Sequence, residues 1–371
     1  MRYEIDASLI KLLLPDIVLA EDGLARLDER AQRSSVAQGF AERGHFFDAV
    51  GAMWVAGELV HVEDLVLHDA HMDSRAPSHE LTIAHAILRA RRRMWTSDAN
   101  WSLTRAGLAV LSGAAGYEQE IPRAGVAKTK DDEDTDALLS AELAEIDAVL
   151  ERSTRLLDEH LGKPVLDQSP KPAPSKAGGD PMGLFDDEEW DEASRLHEWC
   201  RLIPLADTMP CVLGAALLFE GWEKIEPLRR QHWLGGLLVS SYLRARGKVT
   251  SHLFSFHAGL RAVRHELRRA KDRRTRLQAF LQGMTESAAL GLKEMDRLSL
   301  AHTQMELRFK DRRSNSSLPE LADFILSRPI VSSAMVAKEL GVTSRGALNL
   351  LNDIGVREIT GRGRYRAWGI I

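Results

Sequence analysis

Cysteine is almost missing from this chain: Cys200 and Cys211 are the two in 371 residues. Two thiols cannot build a disulfide framework or a four-ligand zinc site by themselves. A basic-then-apolar leader is missing too, and no apolar run reaches the ~20 residues of a membrane span. The expectation is a cytoplasmic protein without membrane contact. Histidines are frequent in residues 1–120, but their spacing fixes no metal site. His68 and His71, beside Asp69 and Asp73, are two histidines for which spacing fixes no third ligand, and they read as a polar stretch between helices. No cofactor is expected.

What is present is ordinary in amount and uneven in placement. Apolar residues make up 44% and charged residues 28% of the chain, as in soluble globular proteins of two or three domains. The net charge of −5 hides a polarity. Residues 1–200 carry 21 Lys and Arg against 38 Asp and Glu, a balance of −17, and residues 201–371 carry 28 against 16, a balance of +12. Such a split points to nucleic-acid contact by the basic half, with the acidic half opposing non-specific adhesion.

The most informative stretch is the last. Ser317 and Glu320 are spaced as a capping box, with Pro319 in the first turn and Leu321, Phe324 and Ile325 at helical spacing until Arg328-Pro329. A second helix follows from Ser333, with Met335, Val336 and Leu340 inward. Gly341-Val342-Thr343 then makes a tight turn, in which Thr343 is the expected N-cap of a third helix, Ser344–Ile354. In that helix Ala347, Leu348, Leu351 and Ile354 point to a core, and Ser344, Arg345, Asn349 and Asn352 share the other side. Arg makes paired hydrogen bonds to guanine and Asn to adenine in the major groove. Strands at 356–360 and 364–370 follow, joined by Gly361-Arg362-Gly363. Their Arg357, Arg362, Arg364 and Arg366, against Glu358 alone, suit a flanking phosphate strand or minor groove.

The rest reads as mostly helical. Leu9, Ile10, Leu13 and Leu14 form one stripe; a buried helix is expected around Met53 and Trp54 within 49–60, and another at 81–95. An acidic run at 131–136 precedes a helix at 137–161, and a proline-rich acidic linker follows. Residues 244–276 hold eleven Lys and Arg against Glu266 and Asp272, either a solvated face or further phosphate contacts. A long amphipathic helix is expected at 277–300. The expected architecture is mainly α. It comprises an N-terminal helical region (1–162), a linker (163–194), a helical core (195–313) and a C-terminal winged helix-turn-helix (317–371).

Two resemblances follow from particular residues. Leu243-Arg244-Ala245-Arg246-Gly247-Lys248, His252-Leu253, Arg312-Arg313-Ser314 and the run from Gly341 to Gly369 resemble an uncharacterised bacterial family, common on plasmids of plant-associated bacteria. That family pairs a domain of unknown function with a C-terminal helix-turn-helix. More remotely, Trp222-Glu223-Lys224-Ile225 followed by Glu226-Pro227-Leu228 and Gln231-His232-Trp233-Leu234-Gly235-Gly236-Leu237-Leu238 resembles the loop of Fic domains, nucleotide-dependent AMP-transferases. Ile225, Pro227, Gly236 and Leu238 keep the frame. The chemistry departs from it: Glu226 stands where the family has its general-base histidine, Gln231 and Trp233 stand at phosphate-approaching glycines, and Leu234 and Leu237 stand at the phosphate-binding arginines. His232 is displaced from the base position. Ser34-Ser35-Val36-Ala37-Gln38-Gly39 has Gln38 where many relatives carry a restraining glutamate.

The resemblance implies a catalytically inactive Fic-like helical core used for sensing or dimerisation. The expected function is therefore a DNA-binding transcriptional regulator, partnered by double-stranded DNA, compatible with a homodimer and with a small-molecule effector of unknown identity. The competing expectations are a divergent AMP-transferase working through Glu226 and His232, and a protein-interaction scaffold.

Overall fold

A computed structural model describes residues 3–73, 76–113, 191–309, 317–359 and 366–370, together with Leu138, Leu139, Ala141, Leu143 and Ile146. The expected acidic run and most of the linker lie outside the described residues.

Helix α1 (Ala7–Gln32) begins at Asp6, whose carboxylate accepts from the Leu9 amide at 2.8 Å. Its buried stripe, Leu13, Ile17, Ala20, Leu24, Leu27 and Ala31, repeats every three or four residues, the period that aligns side chains on one helix face. Burying each of its larger side chains contributes about 1.5–3 kcal/mol. Leu14, expected beside Leu13, is exposed. The stripe packs along α12 (Arg273–Phe309), whose 37 residues form the spine of the molecule. This helix extends beyond both ends of the expected 277–300.

Helix α2 (Ala37–Ala56) starts twelve residues before the expected 49–60 helix, and Trp54 is not interior but 37% exposed. Helices α3 (Val62–Asp69), α4 (His79–Thr96) and α5 (Arg105–Leu111) follow; Leu138, Leu139, Ala141, Leu143 and Ile146 are helical, and the rest of the expected 137–161 helix lies outside the described residues. Beyond it come α6 (Glu192–Cys200), starting inside the expected linker, and α7 (Ile203–Asp207). Helix α8 (Cys211–Ile225) is apolar almost all round and accordingly central, packed by α7, α9 (Leu234–Ala245) and α12. Two short helices, α10 (Phe256–Leu260) and α11 (His265–Arg268), lead into α12. Regions 1–162 and 195–313 thus supply one shared core.

Polar side chains fasten this core from within. Asp48 and Arg91 are fully buried and paired; Asp48 also accepts from the Ala258 amide at 3.1 Å and lies 3.2 Å from His257 Nδ1. Arg91 Nη2 donates to the Leu253 carbonyl at 2.9 Å. Burial alone would raise the Asp48 pKa, but Arg91 and His257 outweigh it and hold the carboxylate charged. Asp28 of α1 accepts from the amides of Thr250 and Ser251, both at 2.8 Å, and from Ser251 Oγ at 2.6 Å.

Candidate nucleic-acid interface

The C-terminal unit begins with α13 (Leu318–Ser327). Its start matches expectation, but the capping-box bond does not form: Ser317, at ψ 9°, makes no side-chain cap. Strand β1 (Val331–Ser332) comes next, then α14 (Ser333–Glu339) and α15 (Ser344–Ile354). Strands β2 (Arg357–Glu358) and β3 (Ala367–Gly369) are shorter than expected and, with β1, form an antiparallel sheet ordered β1-β3-β2. Val331 stands opposite Trp368, and Arg357 opposite Gly369.

Helix α15 is fixed at both ends. Thr343 Oγ1 accepts from the Gly346 amide at 3.2 Å, and Gly355 closes the helix at φ 71°. Ala347, Leu351 and Ile354 are buried; Leu348 is half-buried. Ser344, Arg345, Asn349 and Asn352 are all exposed. At 3.6 residues per turn, Arg345, Asn349 and Asn352 fall within about 60° of one another, nearly opposite the buried face. A helix so anchored presents one arginine and two asparagines, which are base-edge readers, with its apolar face already committed.

The hairpin is less free than its arginine count suggests. Arg366 Nε and Nη2 donate to Glu358 at 3.0 and 2.7 Å, and its guanidinium lies over Trp368. Arg357 is exposed. Arg362 and Arg364 lie outside the described residues.

Several cations of the basic stretch 244–276 are engaged by the protein itself, and the stretch lies away from α15. Arg244 donates to the carbonyls of Met94 and Ser97, Arg246 to Asp207, and Lys248 pairs with Glu21. Arg273 and Arg276 donate to the buried Glu220 at 2.9 and 2.8 Å. The stretch also ends at the start of α12, whereas α15 meets the other end, where Arg308 Nη1 donates to the Ile354 carbonyl at 3.3 Å. At 1.5 Å per residue these ends are about 50 Å apart.

The loop between α8 and α9 holds the remaining sequence-derived candidates. Glu226 closes α8 in the left-handed region at φ 47°, uncommon for a residue other than glycine, with its side chain exposed. Pro227, Gln231 and Trp233 are buried, His232 is exposed, and Leu234 sits in the core at the start of α9. Gln231 Nε2 donates to the Ser112 carbonyl at 3.4 Å. Gly236 faces a side chain: a Cβ there would overlap the His257 ring. Glu226, His232 and Trp233 line a cavity of ≈ 500 Å³ with Arg268, Arg269 and Lys271. The Asp48–His257 pair was not legible in the sequence, because its members lie 209 residues apart.

His68 Nδ1 is 2.8 Å from Asp73, and His85 Nε2 is 3.3 Å from Asp69. Among the described residues no group of three or more His, Cys, Asp and Glu side chains is placed to hold a metal ion, and no helix is long and apolar enough to cross a membrane.

Helix-turn-helix geometry with a polar outward helix defines a class. Residues 318–371 match the family model described as an HTH DNA binding domain, so the chain is a DNA-binding protein with its reader at the C-terminal end. Residues 184–310 match the model described as a protein of unknown function, DUF1612. The whole chain is 39% identical over 391 aligned positions to the uncharacterized protein y4cF of Sinorhizobium fredii, with both chains covered end to end. The chain belongs to the same family as that protein.

Proposed function

We propose that this protein is a sequence-selective transcriptional regulator whose C-terminal unit is a winged helix. In this reading α15 lies in the major groove of double-stranded DNA, Arg345 and Asn349 read base edges, and Ser344 and Asn352 fix register. The β2–β3 hairpin follows the flanking backbone, with Arg357 contacting phosphate. The observation that carries the proposal is the outward face of α15, polar and exposed on a helix whose other face is locked into the core. The topology, a strand before α14 and two after α15, supports the winged arrangement. Two copies on paired half-sites would place their α15 helices about 34–36 Å apart.

The helical part serves sensing or dimerisation rather than catalysis. Supporting this, a glutamate occupies the position where the Fic resemblance requires a general base, and His257 fills the approach to Gly236. A transferase working through Glu226 and His232 is the second reading, favoured by their sharing one cavity with basic side chains. Calorimetric titration with ATP and Mg²⁺ separates the two, since absence of binding removes the transferase.

The regulator reading is tested by selection from a randomised duplex pool, followed by fluorescence anisotropy over a salt titration. Enrichment of one site, with affinity falling steeply as salt rises, is expected. No binding at low salt overturns it.

A further inference from the structure

Helix α1 changes character half-way along its outward side. In the second half, the charged side chains on that side pair with one another: Arg26 with Asp22 and Arg33 with Glu29, each one turn apart. Over residues 12–19 the same side is different. Leu12, Leu14, Pro15, Val18 and Leu19 are the exposed residues of that stretch, and all five are apolar. The leucines and the valine are 48–58% exposed. They are four of the eleven large hydrophobic side chains that stand exposed among the described residues, so the cluster is not a scatter of single contacts. The inward side of the same turns is committed, with Leu13, Ile17 and Ala20 buried. The five outward residues leave roughly 400 Å² of contiguous apolar surface, the size at which a patch marks an interaction site. At 100° per residue they spread over about 160° of the helix, with Lys11 and Asp22 closing the two ends of the strip.

Such a strip is complementary to a second copy of itself. A two-fold axis at the level of Asp16, with the two α1 helices antiparallel, sets Leu12 against Leu19 of the second copy and Leu14 against Val18 of the second copy. It also brings Lys11 level with Asp22 of the second copy, so opposite charges meet at both ends of the strip. A parallel pairing would put Lys11 against Lys11 and Asp22 against Asp22, like charges in contact. Counted over both copies, the apolar strips cover about 800 Å², and a stable interface begins near 1,200 Å². Ser8, Lys11, Asp22 and Arg26, all exposed around the strip, supply the remainder as a polar rim.

We propose that residues 12–19 of α1 form a homodimer interface in which two copies pair antiparallel about a two-fold axis at Asp16. The inference takes up the dimerisation half of the reading above for its role, but the interface itself does not depend on DNA binding. It also fixes where the readers go. Helix α1 runs parallel to α12: Asp16 accepts from Gln278 at 3.0 Å, and further along Arg30 pairs with Asp296. From Gln278 to Arg308, the residue that reaches α15, is about 45 Å of helix. An antiparallel pair therefore holds its two α15 helices about 90 Å apart along the helix direction, one at each end. That exceeds the ~34–36 Å between half-sites one turn apart, so this pair engages two separated sites rather than a one-turn palindrome.

Sedimentation velocity of the full chain tests the interface. The expected result is the mass of two chains at about 10 µM. Leu14→Glu and Leu19→Glu, both at exposed positions, should each weaken the dimer about 30-fold or more, the loss of one hot-spot contact. Both should keep the circular dichroism spectrum of the parent. Lys11→Glu and Asp22→Lys should each weaken the dimer, and the double variant should recover it. Oxidative crosslinking reads the orientation: a mixture of Leu12→Cys and Leu19→Cys should yield the mixed disulfide, with neither variant crosslinking alone. A chain that stays monomeric at about 100 µM overturns the proposal and leaves the face to another protein or to a further segment of this chain. A dimer that Leu14→Glu and Leu19→Glu leave intact overturns it as well. Self-crosslinking of Leu12→Cys overturns the antiparallel arrangement. A dimer that binds no DNA upholds this inference while the regulator reading fails, and a monomer that binds DNA selectively does the reverse.

Discussion

Replacing Arg91 with methionine removes the guanidinium that ties α4 to α2 and to the segment before α10. Both members of the Asp48–Arg91 pair have no exposed surface, and Arg91 also satisfies the carbonyls of Leu253 and Phe254. In Arg91→Met the charge on Asp48 keeps His257 and the Ala258 amide but loses its strongest partner, and the two carbonyls lose theirs. Removing one member of a buried pair costs about 3–5 kcal/mol, a large share of a total stability of about 5–15 kcal/mol. Urea unfolding followed by circular dichroism at 222 nm measures it. Asp48→Asn and the double variant complete a cycle, in which the double variant should be less destabilised than the sum of the singles by about 1.5–3 kcal/mol. A single Arg91→Met variant within about 1 kcal/mol of the parent would refute the reasoning, as would additive costs in the cycle.

Asp28→Ala should destabilise by about 2–3 kcal/mol in the same assay, because the amides of Thr250 and Ser251 lose their acceptor. Burial pushes the His252 pKa down to about 4, with Arg91 adding to the shift and Asp28 opposing it. The folded state thus resists a proton that the unfolded chain accepts below its ordinary value of about 6.5. Stability should be fully present above that value and fall as pH drops from about 6.5 to 4, and His252→Gln should flatten this segment of the stability–pH curve. Burial pushes the Cys211 thiol up to about 12 and also raises that of Cys200, so both should react with iodoacetamide at pH 8 far more slowly than in urea. Glu358→Gln releases Arg366 from its ion pair. It should leave the urea midpoint nearly unchanged and steepen the salt dependence of DNA affinity by about one unit of slope.

Local signals were legible where local physics decides. The Thr343 cap, the helix bounds Ser344–Ile354 and the division of α15 into two faces each depend on residues a few positions apart, and all three appear in the structure. Strand β1 was missed because two residues are too few to show alternation. The start of α2 was missed because Gly39 and Gly44 weaken any helical reading of that stretch, yet Gly39 is what admits the Leu326 backbone. The packing role of Arg244, Arg273 and Arg276 was not legible for a different reason. A charge count treats arginine as a surface group, whereas Arg244, Arg273 and Arg276 spend their donors on carbonyls and on a buried carboxylate contributed by distant helices. A cavity of ≈ 800 Å³ between α2, α10 and α12 has walls drawn from residues 27 to 297 and leaves no trace in any one window of sequence.

The claim that α15 reads DNA is tested most directly by comparing affinities for the selected duplex and a scrambled one, at fixed salt, in the parent and in Arg345→Ala. Losing a paired contact to a base should cost about 1–3 kcal/mol on the selected duplex only. The ratio of the two affinities should therefore fall about 5- to 150-fold, with scrambled-duplex binding nearly unchanged. If the ratio holds at the parental value in Arg345→Ala, and again in Asn349→Ala, α15 is not the reading helix.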